Sequence, residues 1–314
     1  MRAERPDAPI FERTAEPRVD VPAIPARLLR ALPVEGRWID LNDTATFLLE
    51  GGRGPTTVLL HGGIPTGGVY WARMIQRLAD TCHLVVPDVP GQGISDPVAR
   101  LDPTTFAEWL AELVRVTCPE KPTLIAHSLV GGLAARFAAR HSDLVAGLVL
   151  TGVPALGRWR PRPAFVMAAL LSSLHPSSRN TQRFARWAFH DLDRTQRSDP
   201  EWFDAFFAYM QTRGTDPHVK RTTKQLVRGG TVEIPIGELR RISVPTALVW
   251  GRDDRMAPLD LAEAASARTG WPLHVIDDAG HVPFVEQPDA FMEALSAVRS
   301  RIRISTTMTP KEER

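Results

Sequence analysis

A chain of 314 residues with 43% hydrophobic and 24% charged side chains can bury a large core, and its composition is not that of a disordered, coiled-coil or collagen-like protein. A net charge of +2 gives no electrostatic case for a nucleic-acid partner, and no apolar run of about 18 residues offers a membrane span. The length allows two small domains, or one α/β domain of roughly 200 to 250 residues with an insertion; the order of elements favours the second.

Residues 1–27 are rich in Arg, Glu and Asp and carry Pro6, Pro9, Pro17, Pro22 and Pro25, a spacing that sustains neither helix nor central strand and predicts an extended arm. The arm lacks the apolar stretch of a signal peptide. Cys82 and Cys118 are too few and too scattered for a disulfide framework or a zinc site, so reduced thiols and a cytoplasmic location are expected. Strand patterns at 37–41 and 46–50 predict a hairpin, and 57–60 a buried strand. That strand ends in His61-Gly62-Gly63-Ile64-Pro65, a glycine-dense loop with neither phosphate-loop nor dinucleotide-fold spacing. An oxyanion-hole loop and a structural turn remain as its readings.

A helix is predicted over 70–79, a strand over 84–87 and a helix over 104–116. Asp88 follows the strand in a loop with Gly91 and Gly93, where turn chemistry competes with a catalytic use. A strand at 124–127, a helix at 129–139 and a strand at 144–151 complete an alternation that implies βαβ units. The expected architecture is α/β, a mostly parallel sheet with helices on both faces.

The alternation stops from 155 to 235, where only helical segments such as 164–174 and 200–211 are found. This is read as an inserted helical cap, with the core at 28–154 and 236–301. The cap holds ten of the 22 aromatic residues, and its 13 Lys and Arg against 7 Asp and Glu give it a net +6. Most of the aromatics read as packing at i, i+4 spacing, while some, with Trp187, Trp202 and Phe206 as candidates, would roof an apolar pocket. A solvated basic face accounts for the charge, with attraction of an anionic substrate as the rival reading. The sheet resumes at 244–250, a helix covers 259–268, a last strand 273–276 and a last helix 288–300, leaving 302–314 as a tail without pattern.

Ser128, Asp254 and His281 each fall just past the carboxyl end of a predicted parallel strand, the edge at which ligands bind in open α/β sheets. Ser, Asp, His is also the chain order that accompanies a serine on a strand-turn-helix elbow. A serine hydroxyl is a poor nucleophile until an imidazole takes its proton, and a carboxylate fixes the useful imidazole tautomer. Asp253 and Asp88 are rival acids. None of the nine histidines has metal-ligand spacing, so neither metal nor cofactor is expected.

From about residue 36 to 300 the chain resembles the α/β-hydrolase superfamily, in particular capped members with esterase, lactonase and carbon–carbon hydrolase activities. The resemblance rests on HGG at 61–63, DVPGQGISD at 88–96, AHSLVGG at 126–132, VPTALVWGRDD at 244–254 and AGHVPFVEQP at 279–288. It implies Ser128 as nucleophile, His281 as base and Asp254 as the acid. The backbone N–H groups of Leu129 and of Gly63 or Ile64 would form an oxyanion hole, each donor worth about 3 kcal/mol. His127 and Val282, beside the serine and the histidine, become candidate pocket residues.

The implied function is hydrolysis of an ester or lactone of a mostly apolar small molecule through an acyl-enzyme; the oligomeric state is left open. One rival is a carbon–carbon bond hydrolase, although those enzymes commonly place Asn before the serine and Trp after the histidine, where this chain has His127 and Val282. The other rival is a non-catalytic ligand-binding protein of the same fold. The G-x-S-x-G pattern of the elbow is unmet at Ala126 and Val130. Either the helix moves outward and Gly131 makes the close contact, or a small neighbour makes room, and Val130→Gly would then change stability by only about 1 kcal/mol.

Overall fold

Alternation of apolar side chains along short strands builds the centre of the molecule, a computed structural model of which describes residues 23–307. The arm expected over 1–27 lies mostly outside the described residues. Its end is already folded: α1 (Ala26–Leu29) forms because Leu28, fully buried, is drawn into the core. The hairpin β1 (Glu35–Leu41) and β2 (Thr44–Gly52) leads to β3 (Thr56–Leu60), a 3-10 turn, α2 (Ala72–Leu78) and β4 (His83–Pro87). Next come α3 (Pro103–Thr117), opened by Asp102 accepting the N–H groups of Thr104 and Thr105, then β5 (Thr123–His127) and α4 (Ser128–Arg140). The strand expected over 144–151 is shorter, β6 (Gly147–Thr151), because residues 142–144 form a 3-10 turn.

Five helices follow with no strand between them: α5 (Pro163–Leu174), α6 (Ser178–Ala188), α7 (Leu192–Ser198), α8 (Pro200–Thr215) and α9 (Pro217–Gly230). The chain returns through α10 (Ile236–Leu239) to β7 (Thr246–Gly251), α11 (Leu259–Thr269), β8 (Leu273–Ile276), α12 (Pro283–Glu286) and α13 (Pro288–Thr307). The last helix runs past the expected start of a patternless tail at 302, since neither glycine nor proline interrupts the sequence between Pro288 and Pro310.

The described residues form an eight-stranded sheet in the order β1-β2-β4-β3-β5-β6-β7-β8, antiparallel around β2 and parallel from β4 to β8. Val58, Leu60, Leu124, Ala126, Leu148, Leu150, Leu248 and Trp250 face one hydrophobic layer with α3 and α4. Their alternates Leu59, Ile125, Val149 and Val249 face a second layer with α2 and α13. A period of two with both faces buried is what a central parallel strand demands. The chain leaves β3 toward β4 on one side and returns to β5 on the other, so the loops after β3 and β5 open a crevice at the carboxyl edge.

Candidate active site

The turn from β5 into α4 holds Ser128 at φ +52°, a left-handed conformation that costs an L-residue about 1 to 2 kcal/mol and lifts the side chain off the sheet edge. Val130 is fully buried in the core layer beneath the elbow. The close approach is made one residue later: a Cβ on Gly131 would lie 2.4 Å from the Val153 side chain and 3.2 Å from the Ala126 carbonyl. The valine is therefore a packed core residue, and the expectation that its removal is nearly neutral is corrected. Val130→Gly is expected to destabilise by about 3 kcal/mol, the sum of a buried cavity and a helical glycine; urea unfolding measures it.

His281 Nε2 lies 2.9 Å from Ser128 Oγ, and its Nδ1 lies 2.8 Å from Asp254 Oδ2. The other carboxylate oxygen, Oδ1, accepts the N–H groups of Met256 and Ala257, both at 2.8 Å. A carboxylate only accepts, so Nδ1 carries the imidazole proton and Nε2 is free to accept from the serine hydroxyl. All three side chains are buried. Room for the imidazole comes from Gly152 at the end of β6, where a Cβ would stand 2.8 Å from the ring.

His127 packs its ring 4.5 Å from that of His281 and bonds the His281 carbonyl through Nε2 at 2.9 Å. Burial, followed by the neighbouring His281, holds its pKa well below the ordinary histidine range. His127 thus stays neutral and supports His281 without opposing a charge that develops there.

Leu129, at the start of α4, and Gly63 and Ile64, in the loop after β3, line the same cavity as Ser128. The Gly63 N–H lies 3.3 Å from His61 Nδ1, while Val89 N–H bonds His61 Nε2 at 3.0 Å. Burial lowers the His61 pKa to about 3, so this ring is neutral and accepts at one nitrogen only. Of the two bonds, the shorter is that of the Val89 N–H to Nε2.

The two rival acids are engaged elsewhere. Asp253 pairs with His190 Nδ1 at 2.9 Å near the surface. Asp88 joins two loops, accepting the N–H groups of Gly68 at 2.6 Å and Ile94 at 2.8 Å. Burial pushes its carboxyl from 3.8 up to about 7, against those two bonds and the Arg213 charge, which pull it down. Folded Asp88 therefore holds a proton that the unfolded chain has lost between about pH 4 and 7, and its contribution to stability falls as pH rises through that window. The difference in unfolding free energy between pH 5 and pH 8 is expected to shrink in Asp88→Asn, as read by chemical denaturation at the two values.

A cavity of ≈ 440 Å³ opens above the serine, walled by Gly63, Ile64, His127, Ser128, Leu129 and His281 below and by the helical insertion above. Trp187, Trp202, Phe206 and Val282 do not line it. Trp202 stacks on Phe206 at 4.9 Å and Phe206 on Tyr70 at 6.3 Å, Trp187 packs edge-on to Phe165 at 5.8 Å, and Val282 is buried in the second core layer. Phe206 thus joins the insertion to the sheet domain through Tyr70, while Trp187 joins α6 to α5 within the insertion. The walls are instead Trp159, Phe165, Val166, Phe184, Met210, Val219, Val227 and Met256. The uninterrupted apolar run of 163–171 is the sequence feature that could have marked the α5 part of this wall, Phe165 and Val166.

The loops bearing the acid and the histidine are tied to the connection between α6 and α7. His281 N–H donates to the Ala188 carbonyl at 2.7 Å. Glu286 accepts the N–H groups of Gly280, His190 and Asp191 at 2.7, 3.0 and 2.9 Å. Among the described residues no cluster of His, Cys, Asp or Glu is placed to hold a metal ion, and no helix is long and apolar enough to cross a membrane.

Residues 56–288 match the model of the alpha/beta hydrolase fold family. The chain is 28% identical over 258 residues to a pimeloyl-[acyl-carrier protein] methyl ester esterase of Methylococcus capsulatus, covering 76% of this chain and 92% of that one. It is 29% identical over 248 residues to a 2-hydroxy-6-oxononadienedioate/2-hydroxy-6-oxononatrienedioate hydrolase of Klebsiella pneumoniae, covering 75% and 84%. Among solved structures, the 2-hydroxy-6-oxo-6-phenylhexa-2,4-dienoate hydrolase of a Rhodococcus species superposes with a TM-score of 0.73 at 22% identity over 85% of this chain and 99% of that one. A thermophilic esterase of Thermogutta terrifontis gives 0.68 at 23% identity, covering 85% and 99%. With sheet order, elbow and family match in agreement, the chain belongs to the α/β-hydrolase fold family.

Proposed function

We propose that this protein is a serine hydrolase that cleaves an ester or lactone of a mostly apolar small molecule. The observation that carries the reading is the continuous hydrogen-bonded chain from Ser128 through His281 to Asp254 at the floor of an apolar cavity. Ser128 Oγ attacks the substrate carbonyl as its proton passes to His281 Nε2, and the new negative charge on oxygen is met by the N–H groups of Leu129 and of Gly63 or Ile64. The imidazolium then protonates the departing alkoxide, leaving an acyl-serine. Water, deprotonated by the same Nε2, clears it and restores the serine.

Tyr70, His127, Lys220 and His281 are the ionisable side chains lining the cavity, and the aliphatic and aromatic remainder favours apolar acyl or alkyl groups. The helical insertion, spanning roughly 155–235, acts as the cap that shapes the site. Relatives with ester and with carbon–carbon substrates support hydrolysis in general. A panel of activated esters, lactones and a 2-hydroxy-6-oxodienoate, offered to the wild-type protein, tests the ester reading. Turnover of the dienoate alone would move the assignment to carbon–carbon cleavage, and turnover of none would leave a ligand-binding protein.

A further inference from the structure

Helix α5 has no charged residue over its 12 positions, yet Val166, Met167, Leu170 and Leu174 are 47%, 54%, 48% and 60% exposed. A helix that is apolar all round is ordinarily buried, and a contiguous exposed apolar stripe marks an interaction site. At 100° per residue these four positions fall within one arc of the helix, so they form a single stripe. The opposite side of α5 is occupied: Phe165 is buried and lines the cavity with Ala169 and Ser172. Val166 is both half-exposed and part of the cavity wall, which places a mouth of the cavity beside the stripe.

The surroundings of the stripe are cationic. Arg158, Arg160 and Arg162 lead into α5, and Arg179 and Arg183 stand on α6, which packs against it through Phe165 and Phe184 at 5.9 Å. All five arginines are exposed, and among the described residues none of them forms an ion pair. The insertion as a whole carries +6. An isologous contact between two copies would bring these like charges together around the same stripe, so self-association is disfavoured. Exposed aliphatic side chains with exposed arginines on the segment before α5 and on the adjoining α6 have the chemistry of a surface that lies on anionic lipid, with the apolar face in the acyl boundary and the guanidinium groups among the phosphates.

We propose that α5 is a docking helix for an anionic lipid surface. The mouth at Val166 then opens toward that surface, and an amphiphilic molecule can pass from lipid into the cavity without crossing water. Only this second consequence rests on the hydrolase reading; the docking itself is independent of Ser128.

The test is sedimentation of the full-length protein with sucrose-loaded vesicles, either of phosphatidylcholine alone or with about one-third phosphatidylglycerol. Binding is expected to the phosphatidylglycerol vesicles, at least ten-fold weaker to phosphatidylcholine, and reduced at about 0.5 M salt, where the charges are screened. Met167→Glu/Leu170→Glu, which alters exposed positions only, is expected to abolish it. The triple variant Arg158→Ala/Arg160→Ala/Arg162→Ala should weaken binding roughly 100-fold, at about five-fold per arginine. Failure of the wild type to sediment with phosphatidylglycerol vesicles would overturn the proposal. So would binding unchanged in Met167→Glu/Leu170→Glu, or a dimer in velocity sedimentation that this variant dissolves, which would assign the stripe to a second copy of the chain. Ser128→Ala, should it bind vesicles like the wild type, separates docking from turnover.

Discussion

Ser128→Ala and His281→Ala are each expected to lower kcat for an activated ester by about 10⁴- to 10⁶-fold, and the double variant to be scarcely worse than either single one. The reason lies in the bonding order. Among the described residues Ser128 Oγ has one hydrogen-bonded base, His281 Nε2 at 2.9 Å, and that nitrogen bonds no second side-chain nucleophile. Removing either member leaves the other without a task, so their losses do not add. What survives is the proposed oxyanion site at Leu129 and Gly63, together with the cavity, which would still orient a substrate for attack by water. KM should therefore change far less than kcat. Steady-state kinetics of the three variants, with a thermal unfolding scan to show that each is folded, decide the matter. Wild-type turnover in Ser128→Ala would remove the serine mechanism.

Much of this site was legible before the fold was known, because it lies where local patterns are strongest. The strands at 57–60, 124–127, 244–250 and 273–276 are short apolar runs bounded by glycine or polar turns, and each delivers its loop to the same sheet edge. Ser128, His281 and Asp254 could be ordered along the chain from those runs alone. The choice of Asp254 over Asp253 could not. Neighbours in a loop differ only in which way each side chain turns, and it is the N–H groups of Met256 and Ala257 that fix Asp254 toward the imidazole.

The insertion was read less well, for a physical reason. Helices α6 and α9 are rich in Arg, Lys, Thr and Gln and present few apolar residues to mark a period, so only α5 and α8 stood out. Most of the aromatics near Trp202 are expected to pack, with Trp202 and Phe206 as candidates for a pocket roof; in the fold Phe206 stacks on both Trp202 and Tyr70. Those rings seal the seam between insertion and sheet; the cavity wall falls to aliphatic residues and to a second aromatic group, Trp159, Phe165 and Phe184, packed on one another. At the elbow, Gly131 makes the close contact as one of the two expectations had it, but a pattern of small residues around a nucleophile does not reveal that Val130 is fully buried in the core.

Asp254→Asn is expected to reduce kcat by about 10³- to 10⁴-fold, while Asp253→Asn stays within about three-fold of the wild type. The carboxylate of Asp254 is held at both oxygens: Oδ1 by two backbone N–H groups and Oδ2 by His281 Nδ1. An asparagine must keep its oxygen toward the two N–H donors, because an NH₂ group there would oppose them. Its NH₂ then faces His281 Nδ1 as a donor, and the imidazole answers by accepting at Nδ1 and carrying its proton on Nε2. In that tautomer Nε2 donates to Ser128 Oγ and cannot take its proton, so the geometry survives and the chemistry stops. Asp253 has no such hold on the site, since its partner His190 lies on the α6–α7 connection. Because the fault in Asp254→Asn is a misplaced proton, raising the pH should recover part of the activity, as hydroxide removes the proton from Nε2. Rate–pH profiles of the two asparagine variants measure this directly. Equal and small losses would move the orienting role away from Asp254, and an Asp254→Asn profile that stays flat at high pH would count against the tautomer as the cause.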